Sequence, residues 1–241
     1  MRNLLLSNGI LILTLAVPTL RAQTCFELDV KVSVDGTSTV QRSKLASYLA
    51  KSLGRSVLME YMLQANDRDD DAITLPQAPL NVMEFAQVTL GKGITKCEVD
   101  NGVVHLYTQQ TIRAPQNGLG HIFRWFDVPN NAGLFILAFR NRLYSEAFDP
   151  TRARQSTGPA GGGMRPEDAK VLLRPEVIRN VSARELFLRE ATQEILSLSI
   201  GVPVQADQGL KKTWNVSRET MHLEAISNTP LYRPGYSKPI R

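Results

Sequence analysis

The chain has 241 residues, of which 43% are hydrophobic and 21% are charged, with 28 Lys and Arg against 23 Asp and Glu. This ordinary globular composition excludes a collagen, a coiled coil and a wholly disordered chain, because enough apolar mass is present to bury a core. The length favours two small domains.

The first 22 residues have the pattern of a secretory signal peptide. Arg2 precedes a short apolar stretch that Pro18 ends, and we expect cleavage after Ala22. A membrane-spanning helix is the weaker alternative, because it needs about 20 apolar residues and residues 7–9 interrupt this stretch. We therefore predict a periplasmic or secreted protein whose mature chain has no integral membrane segment.

The charge balance after cleavage argues against nucleic-acid binding. Cleavage removes two of the 28 basic residues and none of the 23 acidic ones, which leaves a net charge of +3. Nucleic-acid binding needs a basic stripe with stacking aromatics, whereas these charges are mixed in sign along the chain. We predict no nucleic-acid partner.

Two cysteines, Cys25 and Cys97, remain in the mature chain. Export exposes them to an oxidising compartment, so the even pair predicts one disulfide, with two separate buried thiols as the alternative. Cys25 opens the first predicted strand and Cys97 lies in the strand that enters a hairpin, so a sheet that pairs these strands brings them within disulfide reach. A catalytic role is disfavoured, because neither cysteine lies in a recognisable motif.

The order of predicted elements occurs twice along the chain. A strand, an amphipathic helix, a second strand, a second helix and a hairpin follow one another in each half. The equivalent positions are strands 28–30 and 126–128, helices 45–53 and 135–143, second helices that begin after Asn81 and Ser182, and hairpin glycines Gly102 and Gly209. We predict an α+β fold of two repeated modules, 24–108 and 122–217, joined by a linker, 109–121.

Local sequence signals place the second helices and the hairpins. Asn81 with Glu84, and Ser182 with Glu185, have the spacing of capping boxes. Asn101-Gly102 supplies the positive φ angles that a tight hairpin turn needs.

Two motifs of the second half resemble a known family. Phe126-Asp127-Val128-Pro129 before the helix that ends at Leu143, and the Asn180 to Leu186 junction, are similar to the secretin and TonB short N-terminal domain. The first module resembles the same pattern less closely. The resemblance implies small domains that pack against like domains or against partner proteins of the cell envelope, and we expect a stand-alone exported bacterial protein.

The chain departs from that family in two ways. Members usually precede an outer-membrane barrel or a secretin channel, whereas only a Pro-containing tail, 218–241, follows the second module, so we do not expect a channel. The second module also carries an insertion, 145–170, whose glycine run 158–163 lacks the ending of a phosphate-binding loop and predicts a mobile surface loop.

Candidate polar sites lack the spacing of known chemistry. Asp67 and the aspartates at 69–71 lack the Gly and Glu of a calcium loop, and we interpret them as a solvated acidic loop. His105, His121 and His222 have no partner at metal-ligand spacing, so we interpret them as strand or loop histidines. We predict no catalytic, cofactor-binding or metal-binding residue and no cofactor.

Two further groups of residues are interpreted structurally. One group has the i, i+4 spacing of exposed helix charges: Arg184, Glu185, Arg189, Glu190 and Glu194. The other has strand and helix spacing that favours a core over a ligand-binding box: Phe123, Trp125, Phe126, Phe135 and Phe139.

The leading functional hypothesis is a non-enzymatic periplasmic interaction module whose partner is an envelope protein or a second copy of the chain. Two alternatives stay open: an envelope hydrolase, for instance one that uses the loop from Asp67 to Asp71, and a binder of a small ligand or glycan between the modules. A cleft that gathers acids, a histidine or a cysteine would favour catalysis, and an exposed strand would favour a protein partner.

Overall fold

The computed structural model describes residues 23–25, 31–32, 39–64, 67, 71–115, 117–148, 173–193, 195–203 and 221–225. The predicted signal peptide, the strand at 28–30, the hairpin at Gly209 and the glycine run 158–163 lie outside the described residues.

Helices and strands alternate along the described chain, which confirms the α+β class. The strands are β1 Gln23–Thr24, β2 Lys31–Val32, β3 Thr39–Gln41, β4 Val57–Leu63, β5 Ala72–Thr74, β6 Leu80–Asn81, β7 Lys96–Asp100, β8 Val103–Tyr107, β9 Ile122–Val128, β10 Glu176–Ser182, β11 Leu196–Pro203 and β12 Met221–Ala225. The α-helices are α1 Leu45–Leu53, α2 Val82–Leu90, α3 Gln109–Arg113, α4 Ala132–Leu143 and α5 Ala183–Glu190.

A mixed sheet of six strands, in the order β1-β7-β8-β4-β11-β12, lies at the centre of the described structure. β4 runs parallel to both of its neighbours, β8 and β11. β7 and β12 run antiparallel to β8 and β11, and the edge strand β1 runs antiparallel to β7. Because β4 and β11 belong to different predicted modules, both halves of the chain contribute to one sheet.

Each face of this sheet carries its own hydrophobic core, since successive strand residues point to opposite faces. On one face, Met59 of β4 packs in a cluster with residues of α1 and α2, among them Leu49 and Phe85. On the other face, Leu58 lies in a cluster with residues of α4 and α5, among them Phe135 and Leu186. The arrangement is therefore three layers, with helices on both sides of the sheet.

The local sequence signals are confirmed. Asn81 and Ser182 both accept hydrogen bonds from the N3 amides of α2 and α5, and Glu84 and Glu185 complete the capping boxes. Asn101 and Gly102 turn the β7–β8 hairpin with φ angles of 48° and 84°.

Two segments outside the predicted modules contain regular structure. The segment 109–121, predicted as a linker, contains α3 and the buried Asn117. Residues 221–225 of the predicted tail form β12, whose backbone pairs with β11. Both segments are held by contacts with residues distant in sequence, which short-range patterns do not contain.

β9 and β10 form a separate antiparallel pair, called here the ribbon. Phe123 and Phe126 of β9 are buried against α4, where their rings lie 6.2 and 6.5 Å from the ring of Phe139. In β10, Asn180 has a φ of 50°. The outer face of the ribbon is exposed to solvent at Trp125 and Val177.

Candidate functional site

Glu60 lies in the middle of β4 and is completely buried. It follows the apolar residues of a core strand, where no local sequence signal marks a polar site. An ionised carboxylate is stable inside a protein only when it is paired and hydrogen-bonded. The groups around Glu60 therefore decide whether its charge is stable inside the protein.

Four donors surround the Glu60 carboxylate. Arg184 donates from Nε to Oε1 and from a terminal nitrogen to Oε2, each over 2.7 Å. His105 Nε2 donates to Oε1 over 2.7 Å, and the Asn117 side-chain amide donates to Oε2. We call Glu60 and these three partner residues the Glu60 cluster.

The balance of burial and hydrogen bonding sets the protonation state of Glu60. Burial by itself raises the pKa of Glu60, but the hydrogen bonds and charges of Arg184 and His105 outweigh it and lower the pKa to about 2. The carboxylate is therefore ionised at neutral pH, and its lone pairs are engaged by four donors. Such a group is a poor general base, because that role needs a pKa near the working pH and a free acceptor.

Each partner of Glu60 is positioned by its own element. Arg184 stands in the first turn of α5, whose start is fixed by the Ser182 capping box. His105 comes from β8, which pairs with β4. The Asn117 amide also donates to the Thr111 carbonyl over 2.8 Å, and its oxygen accepts from the Leu119 amide. The cluster thereby ties α5 and the segment after β8 to the central sheet.

A second polar contact continues from the cluster along β8. The rings of His105 and Tyr107 lie 4.5 Å apart. Tyr107 donates from its hydroxyl to Glu98 Oε1 over 2.6 Å, and burial together with this contact raises the pKa of Tyr107. Tyr107 therefore remains a protonated hydrogen-bond donor at physiological pH.

The interpretation of α5 as a face of exposed charges is wrong for Arg184 and Glu190. Arg184 reaches Glu60, and Glu190 is completely buried at the end of the helix. The i, i+4 spacing identifies neighbours on a helix surface, but it does not tell which side the sheet covers. The prediction is correct for Glu185, which is exposed, and Glu194 lies outside the described residues.

Glu190 is held in a less polar environment than Glu60. Its Oε2 accepts from Gln193 Nε2 over 2.8 Å, and its Oε1 has no hydrogen-bond partner within the described part of the chain. Burial, with a smaller effect of the Glu176 charge, raises the pKa of Glu190 to about 7. Glu190 therefore changes its charge near neutral pH.

The other predicted polar residues do not converge on one site. His105 is a strand histidine, as predicted, and its carboxylate partner Glu60 is 45 residues away. His121 lies 3.1 Å from Glu146 at the surface, and Asp67 pairs with Arg42 over 2.9 Å. Among the described residues, no group of three or more His, Cys, Asp and Glu could hold a metal ion.

The aromatic group divides into buried and exposed members. The four phenylalanines are buried, as predicted, but Trp125 is 53% exposed, so the core interpretation is wrong for it. Both Arg124 and Trp125 are exposed between the buried Phe123 and Phe126, which breaks the regular alternation of the strand. Phe123 and Phe126 are three residues apart, and this spacing alone does not predict that both residues between them are exposed.

Cys25 and Cys97 lie at disulfide distance, as predicted, with 5.4 Å between their Cα atoms. β1 pairs antiparallel with β7, opposing Thr24 to Glu98. The predicted pairing of strands is what brings the cysteines together.

An open cavity of about 440 Å³ lies between the β7–β8 turn and α5. It is lined by Asp100, Asn101, Glu185, Leu188, Arg189 and Thr192. Its Glu185 is engaged in the capping box. The lining contains two carboxylates but neither a histidine nor a cysteine.

Comparison of the chain with protein-family models, with curated proteins and with solved structures finds no match. Within the part of the chain that the structure describes, no helix is long and apolar enough to cross a membrane.

Proposed function

We propose that this chain is a non-enzymatic protein-interaction module of the bacterial cell envelope, similar in role to the N-terminal domains of secretins and TonB-dependent receptors. The observation that carries the proposal is the apolar outer face of the ribbon, where Ile122 and Val177 are each 61% exposed and Trp125 is 53% exposed. Large exposed apolar residues that lie together mark interaction surfaces.

Two further observations support the proposal. The saturated carboxylate of Glu60 serves to join elements, which favours a structural over a catalytic role for the cluster. The cysteine pair at disulfide distance supports an oxidising compartment such as the periplasm. Export directed by residues 1–22 is part of the proposal.

Affinity capture from envelope extracts tests the role of the ribbon. The baits are the tagged chain, Val177→Arg, and Val88→Arg as the matched control, since Val88 is 62% exposed on α2. We expect the unchanged chain and Val88→Arg to retain the same partner, and Val177→Arg to lose it. Equal capture by all three baits would remove the ribbon from the proposed function.

A second candidate function is binding of a small ligand or glycan between the modules, and the 440 Å³ cavity favours it. Glycan fragments of the cell wall are suitable probes, and a ligand should raise the melting temperature of the chain. Leu188→Trp fills the cavity and should abolish that rise, while Val88→Trp should keep it. If no fragment raises the melting temperature, this candidate is rejected.

A further inference from the structure

The outer face of β9 presents an aromatic residue and an acidic residue side by side. Phe126 and Val128 are buried, so Trp125 and Asp127, which alternate with them, point outward. Asp127 is exposed, like Trp125. An apolar group and a negative charge therefore stand next to each other along this strand.

The outer face of β10 presents the complementary pair. Val177 and Arg179 are exposed on either side of the buried Ile178. The register places Arg179 opposite Trp125 and Val177 opposite Asp127. These four residues form the corners of a rectangle. Trp125 and Val177 lie at two diagonal corners, and Asp127 and Arg179 lie at the other two. We call Trp125, Asp127, Val177 and Arg179 the outer quartet.

The two charges of the outer quartet have no ion-pair partner within the described residues. Diagonal neighbours in an antiparallel pair have Cα atoms about 7–8 Å apart, which a long side chain can span, but Asp127 and Arg179 do not form an ion pair with each other. Both residues are exposed, so a second surface placed on this face of the ribbon would meet their charges.

Trp125 is contacted by a cationic side chain of α4. The guanidinium of Arg142 lies 4.8 Å from the centre of the Trp125 ring and donates to the Trp125 carbonyl. Arg142 is itself held by Glu146, to which its Nε donates over 2.7 Å. A contact that restricts an aromatic side chain lowers the conformational entropy that the side chain loses on docking, and aromatic residues are enriched among those that dominate interfaces.

We propose that the outer quartet is an isologous contact through which two copies of this chain associate face to face. A two-fold axis along the diagonal from Trp125 to Val177 sets each apolar residue against its own equivalent. The same axis places Asp127 of each copy against Arg179 of the other. The inference rests on the proposed interaction function and names a second copy as the partner.

Charge complementarity favours a second copy over other occupants. Asp127 would repel a partner that carries only acidic groups, and it would also repel an anionic lipid surface. A second copy neutralises both charges at once, since two-fold symmetry makes the patch its own complement.

Sedimentation velocity over a concentration series of the purified exported chain tests this contact. We expect a monomer–dimer equilibrium that Asp127→Arg and Arg179→Asp each weaken by about tenfold or more, because each reversal sets like charges against each other twice. The double variant Asp127→Arg/Arg179→Asp exchanges the two charges and should restore the affinity to within about threefold of the original. Val88→Arg should leave it unchanged, and melting temperatures verify that every variant is folded.

Three results would overturn the inference. The first is a chain that stays monomeric throughout the concentration series. The second is a dimer whose affinity neither single reversal weakens. The third is a dimer whose affinity the double variant fails to restore. Binding to anionic vesicles by a chain that stays monomeric would also reject the second copy in favour of a lipid surface. If the chain is monomeric but Val177→Arg still loses an envelope protein in affinity capture, the proposed function stands and only self-association fails.

Discussion

At the scale of single residues, Glu60 and Glu190 show how environment sets the state of a buried carboxylate. Both are completely buried. Glu60 accepts hydrogen bonds from three side chains and has a pKa of about 2, whereas Glu190 accepts one from Gln193 and has a pKa of about 7. Hydrogen-bond donors and nearby charges, and not depth of burial, separate the two.

Loss of the Arg184 side chain should strongly destabilise the protein. Arg184→Met leaves the Glu60 charge buried with fewer partners, and breaking a buried ion pair in this way costs about 3–5 kcal/mol of the free energy of unfolding. Urea unfolding measures this loss. The matched control is Arg189→Met, which breaks a partly exposed pair with Glu176 and a 3.9 Å contact with Glu190 and should cost less than Arg184→Met. Similar losses in the two variants would contradict the assigned role of the cluster.

Glu190 should make the protein less stable as the pH rises towards neutral. Its pKa is about 7 in the folded chain against 4.5 ordinarily, so the folded state binds the proton more tightly. The resulting stability is complete below pH 4.5, declines between 4.5 and 7 and is absent above 7. Glu60 adds little slope in this window, because its stabilisation is lost as the pH falls from about 4.5 to about 2.

Glu190→Gln removes this titration. Relative to the unchanged chain, we expect no gain in stability near pH 4.5 and a gain of about 3 kcal/mol at pH 8, measured by urea unfolding at each pH. Glu185→Gln is the control of opposite sign, because the hydrogen bonds from Ser182 lower the pKa of Glu185 and the variant should lose stability in this range. A gain for Glu190→Gln that does not depend on pH would refute the raised pKa.

At the scale of elements, local signals were sufficient for the helices and the hairpin. The capping boxes at Asn81 and Ser182, and the turn at Asn101-Gly102, each depend on residues within four positions of one another. The Glu60 cluster could not be found in this way, because its partners are 45, 57 and 124 residues away. The sequence of α5 also does not indicate which of its charged residues faces the sheet.

Gly102→Ala should destabilise the β7–β8 hairpin. Gly102 has a φ of 84°, which disfavours any residue with a Cβ atom, although the space around it is open. We expect a loss of about 1–2 kcal/mol in the free energy of unfolding. Gly120→Ala also enters open space, but its φ is not in the left-handed region, so it should change stability little. An equal effect in the two variants would mean that backbone strain is not the cause.

At the scale of the whole molecule, the sheet joins the two halves of the chain that the sequence presents as a repeat. β4 pairs with β11 over seven residue positions, from Val57 opposite Ser197 to Leu63 opposite Pro203. Whether 24–108 and 122–217 superpose as copies of one fold stays a prediction, since the strand at 28–30 and Gly209 lie outside the described residues.

The disulfide between Cys25 and Cys97 should stabilise this molecule appreciably. The cysteines are 72 residues apart, and closing a loop of that length contributes about 4 kcal/mol in the chain-entropy model. We expect reductant to lower the urea midpoint of the oxidised chain to that of Cys25→Ser/Cys97→Ser. Reductant should leave that double variant unchanged. Two alkylatable thiols in the native exported protein would exclude the bond.

We expect the outer face of the ribbon to bind a protein in the envelope. Photo-crosslinking in living cells tests it most directly, with a photoreactive residue at position 177 or, as the control of equal exposure, at position 88. We predict a discrete crosslinked product from position 177, weakened by Trp125→Ala, and none of that size from position 88. No product from position 177, or the same product from both positions, would contradict the account.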